Sequence, residues 1–469
     1  MQTTPTCRLL SNGQLLDLPA TLPVLDPATE QVIAHVPDCT QELLDATVHA
    51  AQAAFPAWSA TTPAHRRERL EALAARVKEH ADELALLLTR EQGRPLPMAK
   101  AEVLGCVHWC RSVAQMELPQ TERTDKAGVT WRTRRVPLGV VAAIAPWNFP
   151  LTLAFWKLAP ALMAGNTVVL KPSPFTPLAT LRVAELAADL FPAGVLNVLT
   201  GGDALGPWMT AHPGIAKVAF TGSTATGRRV MAAAAPTLKH LTLELGGNDA
   251  AIVLPDVDVV KVARKLFKGA FLNSGQVCIA AKRIYVHESI YDAFAQAFAA
   301  AAKATPMGPG TQEGVMLGPV QNRPQYQRVK ELIAATRDAG HRFLAGGEVA
   351  EGPGYFIAPT VVDNPPDDAR IVVEEPFGPI VPLLRYATLD EAVRRANDSE
   401  FGLGASVWSA DAQQARSLAA RLEAGTVWIN SVHLLDPLTP FAGRKQSGIG
   451  VENGVEGLLE YTAIQTLVG

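Results

Sequence analysis

Along residues 41–59, and again along 63–92, apolar side chains return at helical spacing with charged ones between them, Arg66, Arg67, Glu68 and Arg69 among them. That period gathers the apolar residues on one stripe, so both stretches are expected as surface helices. Beyond Leu138 the pattern changes to short apolar runs parted by helical ones, at 139–145, 167–170, 195–199, 217–220 and 241–243. Strands alternating with helices predict an α/β fold built on a parallel sheet. A second α/β series, with strands expected at 250–253, 283–286, 356–361, 380–386, 405–408 and 425–429, has its own helices and its own core. Two stretches fit neither layer. Residues 121–136 alternate polar and β-forming types and the tail 460–468 reads as a strand, so both are expected in a projecting sheet that pairs between subunits.

Composition narrows the function class. A chain of 469 residues, 48% hydrophobic and 19% charged, is large enough for two or three domains around sizeable cores. Its net charge of −3 is spread without blocks of one sign, which gives no footprint for nucleic acid or an anionic membrane and points to small-molecule partners. The first 20 residues lack a basic stretch followed by an apolar core, and no apolar run reaches membrane-spanning length, so a cytoplasmic enzyme is expected. The five cysteines show neither a CxxC pair nor zinc-ligand spacing, so disulfides and a metal site are not expected. Cys106 and Cys110, four apart in a helical stretch, are expected in the core.

Cys278 stands apart. It ends Asn273-Ser274-Gly275-Gln276-Val277-Cys278, a glycine-containing connection between an expected helix at 263–271 and an expected strand at 283–287. A lone thiol more often packs as a small apolar group, and the residues around it decide the matter. No GxGxxG follows a strand, but Val218-Ala219-Phe220-Thr221-Gly222-Ser223 reads as strand, tight turn and helix start, where free amides suit a pyrophosphate. Such turns are also common without ligands. Lys171-Pro172-Ser173 closes a strand at the edge where open parallel sheets bind ligands, and Lys171 reads equally as a ribose or phosphate contact or as a solvated lysine. Asn148, held between Pro146 and Pro150, is placed either to donate to an oxyanion or to cap its own turn. Glu244, at a strand end before Leu245-Gly246-Gly247, is a general-base candidate if it meets Cys278.

Together with Glu374-Glu375-Pro376-Phe377-Gly378-Pro379 and Pro440-Phe441, these motifs resemble, in order and spacing, the signature set of the aldehyde dehydrogenase superfamily over essentially the whole chain. The resemblance implies a Rossmann-like cofactor domain (residues 1–119 and 138–246), an α/β catalytic domain (247–446) and a small β oligomerisation sheet (120–137 and 447–469), assembled as a homodimer or homotetramer. It implies Cys278 as nucleophile, Asn148 with the Cys278 amide as oxyanion site, Glu244 as base for the hydrolytic water, and Lys157 and Glu452 as relay for its proton. NAD or NADP would lie along Ile144, Trp147, Lys171, Ser173, Gly202, Gly206, Phe220, Gly222, Ser223 and Leu245, with Gln325, Glu375 and Phe377 at the nicotinamide end. Pro174 departs from the glutamate that often follows Lys-Pro-Ser in NAD-preferring relatives, which removes one barrier to NADP and one contact to NAD, leaving NAD slightly favoured. Ala442, where glycine is usual, and bulky Val277 depart as well. The implied substrate wall of Phe149, Leu153, Trp156, Val277, Ile279, His433, Leu435 and Phe441 is mostly apolar, which suggests a medium-chain or aromatic aldehyde. The alternative within the family is acyl transfer to coenzyme A, a branch that typically lacks the glutamate base; Glu244 argues against it. A Cys-His hydrolase is weaker still, since no histidine lies in a motif beside Cys278.

Overall fold

The computed structural model describes residues 7–349 and 351–469; residues 1–6, where the first expected domain begins and a targeting segment would start, lie outside the described residues. The helix expected over 41–59 forms at Gln41–Ser59, capped by the Thr40 side chain. That expected over 63–92 is two helices, Pro63–Glu79 and Ala81–Gln92, parted at His80 where φ is −97° and ψ 19°. The second ends at Gly93 with φ +94°, where an added Cβ would come within 2.8 Å of both Pro319 and Pro27.

The first sheet has eight strands in the order Gln14–Leu16, Leu9–Ser11, Leu196–Val198, Thr167–Lys171, Val140–Ile144, Lys217–Thr221, His240–Glu244 and Gly448–Ile449. Its five central strands are parallel, in a register that sets Ile144 opposite Lys171, Phe220 opposite Ile144 and Thr221 opposite Glu244. Four strands therefore deliver Ile144, Lys171, Thr221 and Glu244 to one carboxyl edge, the edge at which open α/β sheets bind ligands. The flanking antiparallel strands at 9–11, 14–16 and 448–449 are too short to leave a periodic signal.

The second sheet runs Phe343–Ala345, Thr360–Asp363, Ile380–Tyr386, Ala281–His287, Asp249–Val253, Gly404–Trp408 and Thr426–Ile429, with all but the first strand parallel. Ala250 and Ile252 pack into one core and Ala251 and Val253 into another, so this sheet is buried on both faces. The strand expected at 356–361 begins only at Thr360, because Pro359 has no amide for the ladder. A separate antiparallel sheet joins Thr462–Val468 to Thr130–Pro137, and the latter to Thr121–Thr124. Cys106 and Cys110 are buried in the core beneath the first sheet. The α/β architecture with a small additional sheet is thus the one the sequence predicts.

Candidate active site

The helix Val259–Phe271 stops in a turn, Leu272–Gly275, where Asn273 (φ 51°), Ser274 (φ 56°) and Gly275 (φ 73°) are left-handed in succession. Non-glycine residues pay about 1–3 kcal/mol each for this conformation, so the turn needs bracing. The Ser274 hydroxyl donates to the Gly318 carbonyl (2.7 Å), Gln276 Nε2 donates to the Asn273 carbonyl (2.9 Å), and Gln276 Oε1 accepts from the Gln321 amide (2.8 Å). At Gly275 a Cβ would overlap the Gly378 carbonyl oxygen. The reversed chain presents Cys278, partly exposed, to the carboxyl edge of the first sheet.

Glu244 lies on that edge, and both it and Cys278 line one cavity with about 590 Å³ of empty space. Gly247 lets the two segments meet backbone to backbone, since its Cβ would overlap the Cys278 carbonyl oxygen. Glu244 is buried, and neither of its oxygens has a formed hydrogen bond. Burial raises its pKa to about 7, while the Cys278 thiol, Lys157 and the Thr221 hydroxyl hold it below what burial alone would give. The thiol is pushed well above its ordinary range by burial first and then by the charges of Glu244, Asp249 and Glu375. Lys157, fully buried, donates to Thr221 Oγ1 (2.7 Å) and Glu452 Oε1 (2.8 Å); Glu452 Oε2 is buried without a partner. The structure thus brings Lys157 and Glu452, 295 residues apart, into one ion pair beside Glu244.

Asn148 sits in the turn after Val140–Ile144, ahead of the helix Pro150–Met163. Its Nδ2 donates to the Gln276 carbonyl (3.1 Å), two residues before the thiol. The same cavity is lined by Trp147, Gly222, Ser223, Leu245, Gln325, Glu375 and Phe377, with Trp147 edge-on to Phe377 at 5.3 Å. Glu375 accepts from the Gly247 amide (3.0 Å), and a Cβ on Gly246 would approach its other oxygen to 2.7 Å. Burial raises the Glu375 pKa to about 7.

Ile144, Lys171, Gly202, Gly206 and Phe220 line a second groove of about 1200 Å³, together with Pro174, Asp203 and Arg229. Gly222, just after the strand end, leaves room for the Phe220 ring, which a Cβ there would meet and push aside. Ser223 caps the helix Thr224–Ala234 by accepting from the Thr226 amide. A glycine turn, a helix N-terminus and the buried Lys171 amine, lowered by burial to about 8, form a cradle that suits a dinucleotide pyrophosphate. Ser173 lines neither cavity; its hydroxyl accepts from the Phe175 amide and shapes the turn. Thr221 and Arg328 in the first cavity, and Asp203 and Arg229 in the second, were not among the candidates. Thr221 stands inside the Phe-Thr-Gly-Ser motif, the one of these with a sequence signal.

On its other side Cys278 joins an apolar cluster that contains Phe149, Leu153, Trp156, Val277, Ile279, Leu435 and Phe441. The cluster adds Trp109, Leu272, Ala280, Leu403 and Trp428 to the candidates. Trp109 stacks on Trp156 (centroids 5.8 Å apart) and donates to Asn453 Oδ1 (2.9 Å), while Phe441 meets Trp156 edge-on at 5.6 Å. His433 reaches the residue after the nucleophile, but its Nε2–H is spent on the Ile279 carbonyl (2.9 Å), and burial lowers its pKa to about 4, so the ring is neutral at pH 7. Cys278 therefore stands where the cavity that holds Glu244 and Glu375 meets an apolar wall.

Comparison with known proteins agrees with this geometry. The model of the aldehyde dehydrogenase family matches residues 17–467. An aldehyde dehydrogenase, LUC3, of a Fusarium species is 42% identical over 439 residues, 93% of each chain. The phenylacetaldehyde dehydrogenase of Pseudomonas fluorescens is 40% identical over 483 aligned positions, covering 98% of this chain and 95% of that one. Among solved structures, an NAD+ complex of an aldehyde dehydrogenase from Bacillus cereus superposes with a TM-score of 0.96 at 37% identity, over 99% of this chain and 96% of the other. With its motifs in order, its sheets in the same arrangement and a family match over nearly its whole length, the chain belongs to the aldehyde dehydrogenase family.

Proposed function

We propose that this enzyme oxidises an apolar aldehyde, aromatic or of medium chain length, to the carboxylic acid with NAD or NADP. The observation that carries the reading is the position of Cys278, which shares one cavity with Glu244 and one apolar wall with Trp156 and Phe441. Cys278 Sγ bonds to the aldehyde carbon, and the oxyanion that forms accepts from Asn148 Nδ2 and the Cys278 amide. When bound, with Gln325, Glu375 and Phe377 around it, the nicotinamide would supply the two-electron acceptor for oxidation of the Cys278 adduct to the thioester. Glu244 then takes a proton from the water that attacks the thioester carbon, which releases the acid and returns the thiol. Lys157 and Glu452 carry that proton onward. A thiol raised this far needs a nearby base or cation to ionise, and Glu244 serves it as well as the water.

The cofactor reading rests on the cradle along Lys171, Gly202, Gly206, Gly222 and Ser223, and on Gln325, Glu375 and Phe377 at the catalytic end. NAD is the favoured coenzyme, by analogy with the NAD+ complex of the Bacillus cereus relative. Pro174 in the groove wall supplies no carboxylate to the ribose. In domain terms, residues 1–119 and 138–246 bind the cofactor, 247–446 carry the nucleophile, and 120–137 with 447–469 assemble a cytoplasmic homodimer or homotetramer. Ile464, Leu467 and Val468, 63%, 46% and 60% exposed on the three-stranded sheet, support that assembly.

A matrix of initial rates, with a panel of aldehydes against NAD and NADP, tests the proposal. Phenyl-substituted and medium-chain aldehydes are expected to give the highest kcat/KM. A maximum at short, charged or trimethylammonium aldehydes overturns the substrate reading, and acyl-CoA formation that depends on added coenzyme A overturns the hydrolytic one.

A further inference from the structure

We propose that Arg94 is a positioning residue for the oxyanion site, a buried guanidinium clamp that fixes the Asn148 peptide from behind. The inference rests on the reading of Asn148 as oxyanion donor and extends it to a residue outside both cavities. Arg94 follows the left-handed turn at Gly93, and its side chain is 1% exposed. Its amide and Nε both donate to Gln92 Oε1 (3.1 and 2.8 Å), Nη1 donates to Glu102, and Nη2 donates to the Asn148 carbonyl. The guanidinium also lies over the Phe149 ring, 4.3 Å from its centroid.

Glu102 completes the clamp. Its other oxygen accepts from the Leu151 and Thr152 amides (3.0 Å each), capping a helix whose own N-cap, Phe149, has no side chain to do so. The Asn148 carbonyl accepts a second bond from Asn273 Nδ2 (3.1 Å), which comes from the strained turn before Cys278. Both lone pairs of that carbonyl are thus engaged, one from each side of the site. Only the amide end of Asn148 is left to turn, toward the nucleophile loop.

Two arguments separate this from plain packing. A buried ion pair is on average no more stabilising than apolar residues of the same volume, so fold stability alone gives little reason for Arg94 and Glu102. Nor does a lysine serve, because one ammonium cannot span Gln92, Glu102 and the Asn148 carbonyl as the planar fork does. What the pair supplies is placement, and a donor displaced by about 1 Å costs on the order of 100-fold in rate.

The test is the pre-steady-state burst of reduced cofactor in a double-mutant cycle of Arg94→Lys and Asn148→Ala, with cofactor affinity measured in parallel. Arg94→Lys alone is expected to slow the burst by about 10- to 100-fold and to leave cofactor affinity within about twofold. In the Asn148→Ala background the same change is expected to add less than about twofold, because it acts through a donor already gone. Free guanidinium is expected to restore part of the burst rate to Arg94→Ala. Should Arg94→Lys fail to fold, Glu102→Gln keeps the volume, removes the counter-charge and is expected to slow the same step in the same non-additive way. Multiplying effects of Arg94→Lys and Asn148→Ala, or lost cofactor affinity with an unchanged burst, overturn the clamp. A burst untouched by Asn148→Ala overturns the oxyanion reading itself.

Discussion

Replacing Glu244, the proposed base, with glutamine removes its carboxylate while keeping the shape of a buried side chain. With its pKa raised by burial to about 7, the carboxylate form of Glu244 gains on the neutral one across the neutral pH range. The sign follows from the direction of the shift: the basic form grows as pH rises through about 7, and the deacylation rate is expected to climb through that window and then level. A positioned general base contributes about 100- to 10,000-fold, so Glu244→Gln is expected to lower steady-state turnover by at least the smaller factor. The first turnover is the discriminating measurement. Rapid mixing with saturating aldehyde is expected to show a burst of reduced cofactor near one equivalent per site, slowed because the thiol has lost its base as well, followed by a nearly flat phase. Intact-mass analysis at that stage is expected to find the acyl group on Cys278. The rising pH limb is expected to vanish from the slow phase. Turnover reduced less than about tenfold, or a slow phase that keeps its midpoint near pH 7, would refute Glu244 as the water's base. Loss of the burst together with turnover would place its essential proton transfer before the thioester, at the thiol.

Two further outcomes probe what surrounds this centre. Lys157→Met leaves the Glu452 carboxylate buried and unpaired, at an expected cost of about 3–5 kcal/mol; denaturation midpoints should show most of that loss recovered when Glu452→Gln is added. Trp109→Ala removes one half-buried ring of the stack on Trp156 and is expected to cost about 1–3 kcal/mol in stability, and to shift relative kcat/KM toward aldehydes bulkier than the best native substrate. An unchanged rank order across the aldehyde panel would take Trp109 out of the substrate wall.

The legible part of this protein was the part written in contiguous residues. Parallel strands announced themselves because each is apolar on both faces, and their ends carried motifs whose glycines and prolines have local jobs. Phe220-Thr221-Gly222-Ser223 and Glu244-Leu245-Gly246-Gly247 are of this kind. The break at His80 was invisible because neither glycine nor proline marks it. Strands at 9–11 and 14–16 pair mainly with each other, and 448–449 lies on the edge that the longer 240–244 strand offers, so none of the three is marked by its own residues. Trp109 looked like any aromatic residue on a helix flanked by core cysteines, and only its meeting with Trp156 and Asn453 assigns it to the wall. Arg94 and Glu102 carried no signal at all, since a charged pair eight residues apart usually belongs to a surface.

The position of Cys278 at the junction of the Glu244 cavity and an apolar wall has a consequence for traffic. The Gly247 backbone is pressed against the Cys278 carbonyl, so the segments bearing Glu244 and Cys278 meet at the centre, with the cavity on one flank of the sulfur and apolar side chains on the other. A dinucleotide and an aldehyde that arrive by separate doors do not block one another. On the proposed reading, the apolar acid product is expected to compete with aldehyde and not with coenzyme, and a molecule long enough to reach both flanks is expected to hold the enzyme shut at its midpoint.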